Sequence, residues 1–395
     1  MSTTRTSSSP KLSSERGAAY ETLIHKTRRN IADLVRQPTT WSNDPAGDFS
    51  NWKEGFMEIG NWTTSFFTGM ALIAWNETED EHFIREVLAL DPLYQEKLGK
   101  YAADTMHDLG FLYSLHSVAL HKVTGDGCHR ELALKAAELL AARFVPTGNF
   151  IRAWGRMDAT GVNTHNDGFI ATDDMAIIDC MMNLPLLYWA SDETDDPRFK
   201  EIAIKHSDTT LANFIREDDS VFHAYRFDPV SGAPARGENY CGYGVDTHWA
   251  RGTAWAIYGF AMGYRYTGDE RYLDASLRVA QKFISLLDDE MIPIWDFILP
   301  DNPKVHIRDS SAASIAVCAF QELEAAGKAE PAMIACKHAL LDRLCTPTYL
   351  DKDPAVRGVL KHGQVGMAVD SYTSWGDYYL MEALARENGM AITWW

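Results

Sequence analysis

The chain lacks any apolar run long enough to span a bilayer as a helix, so a globular protein is expected. It is poor in positive charge. Its 37 Lys and Arg stand against 55 Asp and Glu, for a formal net charge of -18. That balance argues against nucleic acid or an anionic membrane as partner. No two of the six cysteines (Cys128, Cys180, Cys241, Cys318, Cys336 and Cys345) have CxxC spacing. Reduced, mostly buried thiols fit this better than a disulfide frame or a zinc site. His107, His116, His165, His223, His248 and His362 form no HxxxH or HxH pair, so no metal site is expected. There is no Gly-rich phosphate loop after a strand and no GxSxG elbow. The opening residues "MSTTRTSSSPKLSSERG" lack the apolar core of a secretory signal. Residues 1–15 are read as a disordered tail, with a transit peptide as the lesser reading. The default location is cytoplasmic.

What is present is apolar and aromatic. Hydrophobic residues make up 46%, with 12 Trp, 16 Tyr and 17 Phe. One short pattern returns four times: Thr78-x-Asp80-x-x-Phe83, Thr124-x-Asp126-x-x-His129, Thr194-x-Asp196-x-x-Phe199 and Thr267-x-Asp269-x-x-Tyr272. Each copy lies between two helix-like apolar segments. Thr and Asp are good N-cap residues, and the closing aromatic is placed to tuck back, so the unit reads as an αα-hairpin. Helical periodicity gives twelve helices, near 16–36, 63–76, 80–103, 108–123, 129–144, 174–190, 197–215, 249–265, 270–287, 310–326, 331–344 and 372–388. Alternate helices are apolar all round or amphipathic, as the inner and outer members of two rings are. Six hairpins predict an all-α fold, with residues 16–395 as one domain. One strand is expected in Ser220–Gly232. Long loops at 38–60, 145–173, 233–248 and 288–308 carry Trp, His, Arg and Gly and read as the rim of a site.

Asp179 is the only residue of "MAIIDCMMNLPLLYWA", read as a helix, that is ordinarily charged at neutral pH. A buried carboxylate is costly unless it is neutralised or hydrogen-bonded, and burial raises its pKa towards a general acid's range. It is therefore a proton donor or a structural acid held by Asn183. Asp108 opens another inner helix, where an N-cap is the plainer reading. Both acids would stand near one mouth of the ring, and two carboxylates are the minimum kit for glycoside chemistry. Arg251 and Trp255 are four apart and share a helix face. They are either packing residues, with Arg251 capping a neighbour, or a guanidinium for a carboxylate beside a sugar platform. Asp309 reads as an N-cap and Asp377 as structural.

The strings "HDLGFLYSL", "AWG", "AIIDCMMNLPLLYWA", "FDPVSGAPARG", "WARGTAWAIYGFA", "WDF", "RDSSAASIA" and "SYTSWGDYYLMEAL" resemble, in order, the unsaturated glucuronyl hydrolases of glycoside hydrolase family 88. The likeness covers about residues 20–390. It implies an (α/α)6 barrel, in agreement with the six hairpins. It also implies removal of a 4,5-unsaturated uronic acid from the non-reducing end of a lyase-made di- or oligosaccharide. The route is hydration of the enol-ether double bond, with no metal or organic cofactor. Separately, a monomer or homodimer is expected. By motif position, Asp179 would be the general acid/base and Asp108 would assist. Trp62, Trp154 and Trp255 match sugar-stacking positions. His107, His223 and Arg251 match positions around the sugar and its carboxylate. Three departures stand out: Thr64 in place of an acid, Tyr240 and Cys241 in place of a common His-Gln pair, and no Ser- and Lys-bearing stretch in "KHGQVGMAVDSYTSW". They imply an altered second-sugar subsite. A rhamnogalacturonyl relative with another leaving sugar is one alternative. A histidine-based sugar 2-epimerase or isomerase on a similar barrel is another, and a catalytically dead sugar-binding barrel a third.

Overall fold

The computed structural model describes residues 12–36, 43–49, 55–158, 162–165, 168–392 and 394–395. Most of the expected tail, residues 1–11, and parts of the loop at 38–60 lie outside these. Its helices are α1 (Ser14–Arg36), α2 (Thr64–Thr78), α3 (Glu81–Ala89), α4 (Asp91–Lys100), α5 (Leu109–Tyr113), α6 (Ala119–Thr124), α7 (Gly127–Ala141), α8 (Leu184–Thr194), α9 (Pro197–Asn213), α10 (Ala250–Thr267), α11 (Glu270–Ser285), α12 (Ser310–Ala325), α13 (Pro331–Leu344) and α14 (Ser374–Glu387). A π turn, Ser114–Val118, joins α5 and α6 into one inner helix. The expected helix 80–103 is two: Leu90 ends α3, and Pro92, which has no amide hydrogen to donate, sits in the first turn of α4.

Six of these elements form the inner ring: α2, α5–α6, α8, α10, α12 and α14. Each packs on the next, and α14 closes back on α2. Their sequences explain the placement. Ser310–Leu323 of α12 and Ala250–Gly263 of α10 are buried on every face, as a helix with neighbours on all sides must be. The outer elements bury one stripe only, as in α11, where Tyr272, Leu273, Ala275, Ser276, Val279, Ala280 and Phe283 face inward. The fold is an (α/α)6 barrel.

The recurring Thr-x-Asp pattern makes the inner-to-outer turns, with a division of labour within it. Each Thr hydroxyl donates to the carbonyl four residues back, 2.6–2.8 Å away in Thr78, Thr124, Thr194 and Thr267. It also accepts the amide of the Asp two residues on. The residue between is left-handed in every copy, at φ 57 for Glu79, 73 for Gly125, 57 for Asp195 and 69 for Gly268. Each Asp then caps the outer helix by accepting an amide two residues ahead. Thr therefore ends the inner helix, where an N-cap role was also expected, and Asp starts the outer one. The closing Phe83, His129, Phe199 and Tyr272 are buried as expected.

The outer-to-inner connections are longer and carry short strands. The principal sheet joins β6 (Met175–Ile177), β7 (Ala224–Phe227) and β8 (Pro234–Glu238). β2 (Phe144–Val145) pairs with β3 (Phe150–Ile151), β4 (Val162–His165) with β5 (Gly168–Ala171), and β1 (Asn43–Asp44) with β10 (Val369–Thr373), which also pairs with β9 (Gly363–Val365). The strand expected in Ser220–Gly232 is β7. Residues 175–177, read as helix, are a strand because pairing with β7 supplies their backbone partners. The segment 372–373, also read as helix, ends β10.

Candidate active site

All six inner helices start at the mouth that carries the long connections. The N-terminal end of a helix bears free amides and a partial positive charge, so this mouth favours an anion. Asp108 stands at the N-cap position of α5, yet its side chain caps nothing. Its carboxylate instead takes a hydrogen bond from Asn183. Asn183 Oδ1 in turn accepts the Phe111 amide at 2.8 Å. Gly110 permits this closeness, because a Cβ there would lie 2.4 Å from Asn183 Cα.

Asp179 is not inside a regular α-helix as the sequence suggested. It lies in a 3-10 turn, Ile178–Met182, between β6 and α8. The alternative in which Asn183 holds its carboxylate is also corrected. Asn183 Nδ2 approaches the Asp179 carbonyl at 3.4 Å. Asp179 Oδ2 is buried without a hydrogen-bond partner among the described residues.

The sheet brings His223 to this acid. Ile177 pairs with Ala224, and the Ile178 amide donates to the His223 carbonyl at 2.9 Å. His223 Nε2 then stands 3.7 Å from Asp179 Oδ2. His107 Nε2 stands 3.5 Å from Asp108 Oδ1. The two pairs are built alike. His223 Nδ1 accepts the Tyr240 amide at 2.9 Å, and His107 Nδ1 accepts the Trp154 amide at 3.2 Å. A ring nitrogen that accepts is unprotonated, so each neutral imidazole carries its hydrogen on Nε2, towards its carboxylate. Trp154 adopts φ 38 in making this contact, an uncommon conformation for a bulky side chain.

Burial pushes the Asp108 carboxyl up to about 8, and the neighbouring Asp179 charge adds to the rise, while Asn183 and Arg143 oppose it. Burial lifts Asp179 to about 6 against the pull of Arg251. Between those values the two acids together hold one proton and one negative charge.

Arg251 is 6% exposed and opens α10. Its Nη1 donates to Asp309 Oδ2 at 2.7 Å, the Gln364 carbonyl at 3.0 Å and Gln364 Oε1 at 3.1 Å. All three bonds leave from that one nitrogen. Asp309 also caps α12 as expected, accepting the Ser311 and Ala312 amides. Asp377 holds the Val359 and Leu360 amides, a structural task. The guanidinium lies 4.6 Å from the Trp249 ring centre and 5.4 Å from that of Trp375. Trp62 stacks on Trp375 at 4.8 Å, and Trp249 sits 5.0 Å from His223. Trp154 continues the wall, 5.8 Å from His223 and 6.4 Å from His107.

Of the residues singled out by sequence, Trp62, His107, Asp108, Trp154, Asp179, His223 and Arg251 thus fall in one connected cup. Trp255 does not share its surface. It is 0% exposed, packed between Phe111 and Tyr379, and offers no open face for a sugar. The i, i+4 spacing placed it one turn deeper on the same face as Arg251. Tyr240 joins the wall 5.7 Å from Trp154, its hydroxyl held by Glu238 and by Arg226 Nη2 at 3.0 Å. The Cys241 thiol is pushed up to about 12 by burial and the Asp179 charge, so it stays protonated. Thr64 exchanges hydrogen bonds with Asn61 at the start of α2.

Sequence reasoning missed Trp375, Gln364 and Arg143. Arg143 had a signal of the kind that exposed Asp179: a lone charge within the apolar "LLAARFV".

The family model described as Glycosyl Hydrolase Family 88 matches residues 33–322. The chain is 33% identical over 348 residues to an unsaturated glucuronyl hydrolase of Bacillus sp. (strain GL1), covering 85% of this chain and 88% of that protein. It is 35% identical over 342 residues to an unsaturated chondroitin disaccharide hydrolase of Streptococcus pneumoniae, covering 84% and 82%. The crystal structure of an unsaturated glucuronyl hydrolase from Streptococcus agalactiae superposes with a TM-score of 0.83 at 28% identity, covering 98% of this chain and 95% of that one. A barrel with these relatives along most of its length belongs to glycosyl hydrolase family 88.

Proposed function

We propose that the protein is an unsaturated uronyl hydrolase in which Asp179 and Asp108 form the acid/base pair. Its substrate is a di- or oligosaccharide ending in a 4,5-unsaturated uronic acid. The pair donates a proton to carbon 4 of the enol ether. Water adds to carbon 5 and returns a proton to the pair, so the carboxyls end as they began. The product is a hemiketal at carbon 5. Its ring opens to a ketone and leaves a hemiacetal at carbon 1, which expels the second sugar as an alcohol. Asp179 is the general acid/base and Asp108 holds and tunes the shared proton. The observation that carries this reading is the buried Asp179 Oδ2, free of any described hydrogen-bond partner in a cup that contains a second raised carboxyl.

Arg251 has Nε and Nη2 outside its three hydrogen bonds, which supports a role in receiving the uronate. Trp62, partly exposed, supplies a stacking face, Trp154, 3% exposed, supplies wall, and His107 and His223 direct Nε2 towards the two carboxylates. Free cysteines, with Cys180, Cys318, Cys336 and Cys345 buried, support a cytoplasmic location. No helix among the described residues is long and apolar enough to cross a membrane.

The test is loss of the ultraviolet absorbance of the double bond. Lyase products of glycosaminoglycans, glucuronan, ulvan, xanthan and pectin form the panel. Absorbance should fall with at least one of them, and a flat trace on all overturns the reading. Asp179→Asn should abolish turnover while the far-ultraviolet dichroism of the barrel persists.

A further inference from the structure

We propose that Arg143 is a positioning residue, whose buried guanidinium ties the segment leading into His107 and Asp108 to the loop that carries Trp154. Arg143 follows α7 at the outer side of the site and is 2% exposed. Its Nη1 donates to the Thr105 carbonyl at 3.2 Å, its Nε to the Arg152 carbonyl at 2.9 Å and its Nη2 to the Trp154 carbonyl at 2.6 Å. All three acceptors are backbone. Thr105 stands two residues before His107, and Trp154 is the residue whose amide meets His107 Nδ1. The guanidinium therefore closes a loop of contacts: Arg143 to Trp154, Trp154 to His107, His107 to Asp108, and back through Thr105.

A buried charge with no carboxylate in contact costs several kcal/mol unless hydrogen bonds and more distant charges offset it. Arg143 has no ion pair with a carboxylate among the described residues; burial and then the Arg152 charge push its pKa down to about 9, and Asp108 is the carboxylate that favours its charge. The interaction is mutual. The Arg143 charge pulls the Asp108 carboxyl down while burial and Asp179 push it up. Arg143 thus has two separable effects. Its three donors set where His107 and Trp154 stand, and its charge loosens the hold that burial and Asp179 give Asp108 on the shared proton.

Two substitutions separate these effects. Arg143→Gln removes the charge, and Arg143→Lys keeps a cation only at pH values where the buried ammonium stays protonated, and cannot reach three carbonyls in the fork's geometry. Both should lower kcat about tenfold or more. In the Gln protein the alkaline limb of kcat/KM should also move upward, by roughly one unit. A role confined to packing would lower activity and melting temperature without moving that limb. Wild-type kcat in the Lys protein overturns the proposal, and so does an unmoved limb in the Gln protein. If the Gln protein does not fold, the Lys protein still decides the positioning role. The inference rests on the proposed reaction for its kinetic arm only. A carbon-13 titration of the Asp108 carboxyl, assigned with Asp108→Asn, reads the charge effect without substrate. If that titration moves in the Gln protein while wild-type enzyme turns over nothing on the panel, the reaction fails and the Arg143–Asp108 coupling stands.

Discussion

Asp108 and Asp179 share one environment and differ in what surrounds each carboxyl. Asp108 is 8% exposed at its side chain and receives Asn183, while Asp179 is 15% exposed and faces Arg251. Because the higher value is raised partly by the charge on the other acid, the two titrations belong to the pair. Below about 6 both carboxyls hold protons, so the proposed reaction lacks a base, and above about 8 the pair has lost the proton which that reaction would donate. The profile of kcat/KM against pH is expected to be a bell with limbs near those values, measured on a saturable lyase product. A single-limbed profile would contradict the shared proton. Arg251→Ala should raise KM at least tenfold and leave Asp309 without its ion-pair partner, so Arg251→Lys is the companion variant. An unchanged KM in both would confine Arg251 to bracing α12. At this scale the sequence revealed charges in apolar surroundings, which is how Asp179 stood out. It did not reveal Arg143 as a tie, because three backbone carbonyls leave no trace in residue identity.

Among the elements, local hydrogen bonding was the easiest to read. The Thr-x-Asp turn satisfies a carbonyl, an amide and the first turn of a helix between Ala190 and Arg198, so its spacing shows directly in the chain. Asp196→Ala should destabilise the protein by about 1 kcal/mol, the usual loss for an N-cap, with kcat unchanged because the turn lies at the far end from the acids. A denaturant midpoint with the slope held constant checks this. A loss of activity at constant stability would mean that the turn is coupled to the site. Tertiary pairing was harder to foresee. Residues 175–177 alternate nothing that distinguishes strand from helix, and only β7, some fifty residues later, makes them extended. Trp255 shows the complementary limit. Spacing told which face it shares with Arg251, but not how deep in the barrel that face becomes closed by Phe111 and Tyr379.

For the whole molecule, the site is held at the expense of stability. A carboxyl raised above its unfolded value binds more protons in the folded state between the two values. Stability therefore falls as pH rises from about 4 through the folded pKa, and levels off above it. Asp108, Asp179 and Asp377 are raised to about 8, 6 and 7 and act in the same direction. Asp108→Asn should thus melt higher than wild type at pH 8, by the order of 1 kcal/mol or a few degrees. The advantage should vanish below about pH 3, where Asp108 is protonated in the unfolded chain as well as in the folded one. A lower melting temperature at pH 8 would show that the carboxylate is better satisfied than its surroundings indicate.

The four Thr-x-Asp turns fix a rule for change in this molecule. Each is three residues long, is satisfied at every step and has a left-handed residue at its middle, so an added residue there would break a cap and misalign two helices. The opposite connections, such as those from α7 to α8 and from α9 to α10, have no such closure, and they hold Trp154, His223, Tyr240 and Cys241. The barrel therefore separates its heritable freedom by end. New leaving groups can be accommodated by rewriting one rim, without renegotiating the scaffold at the other.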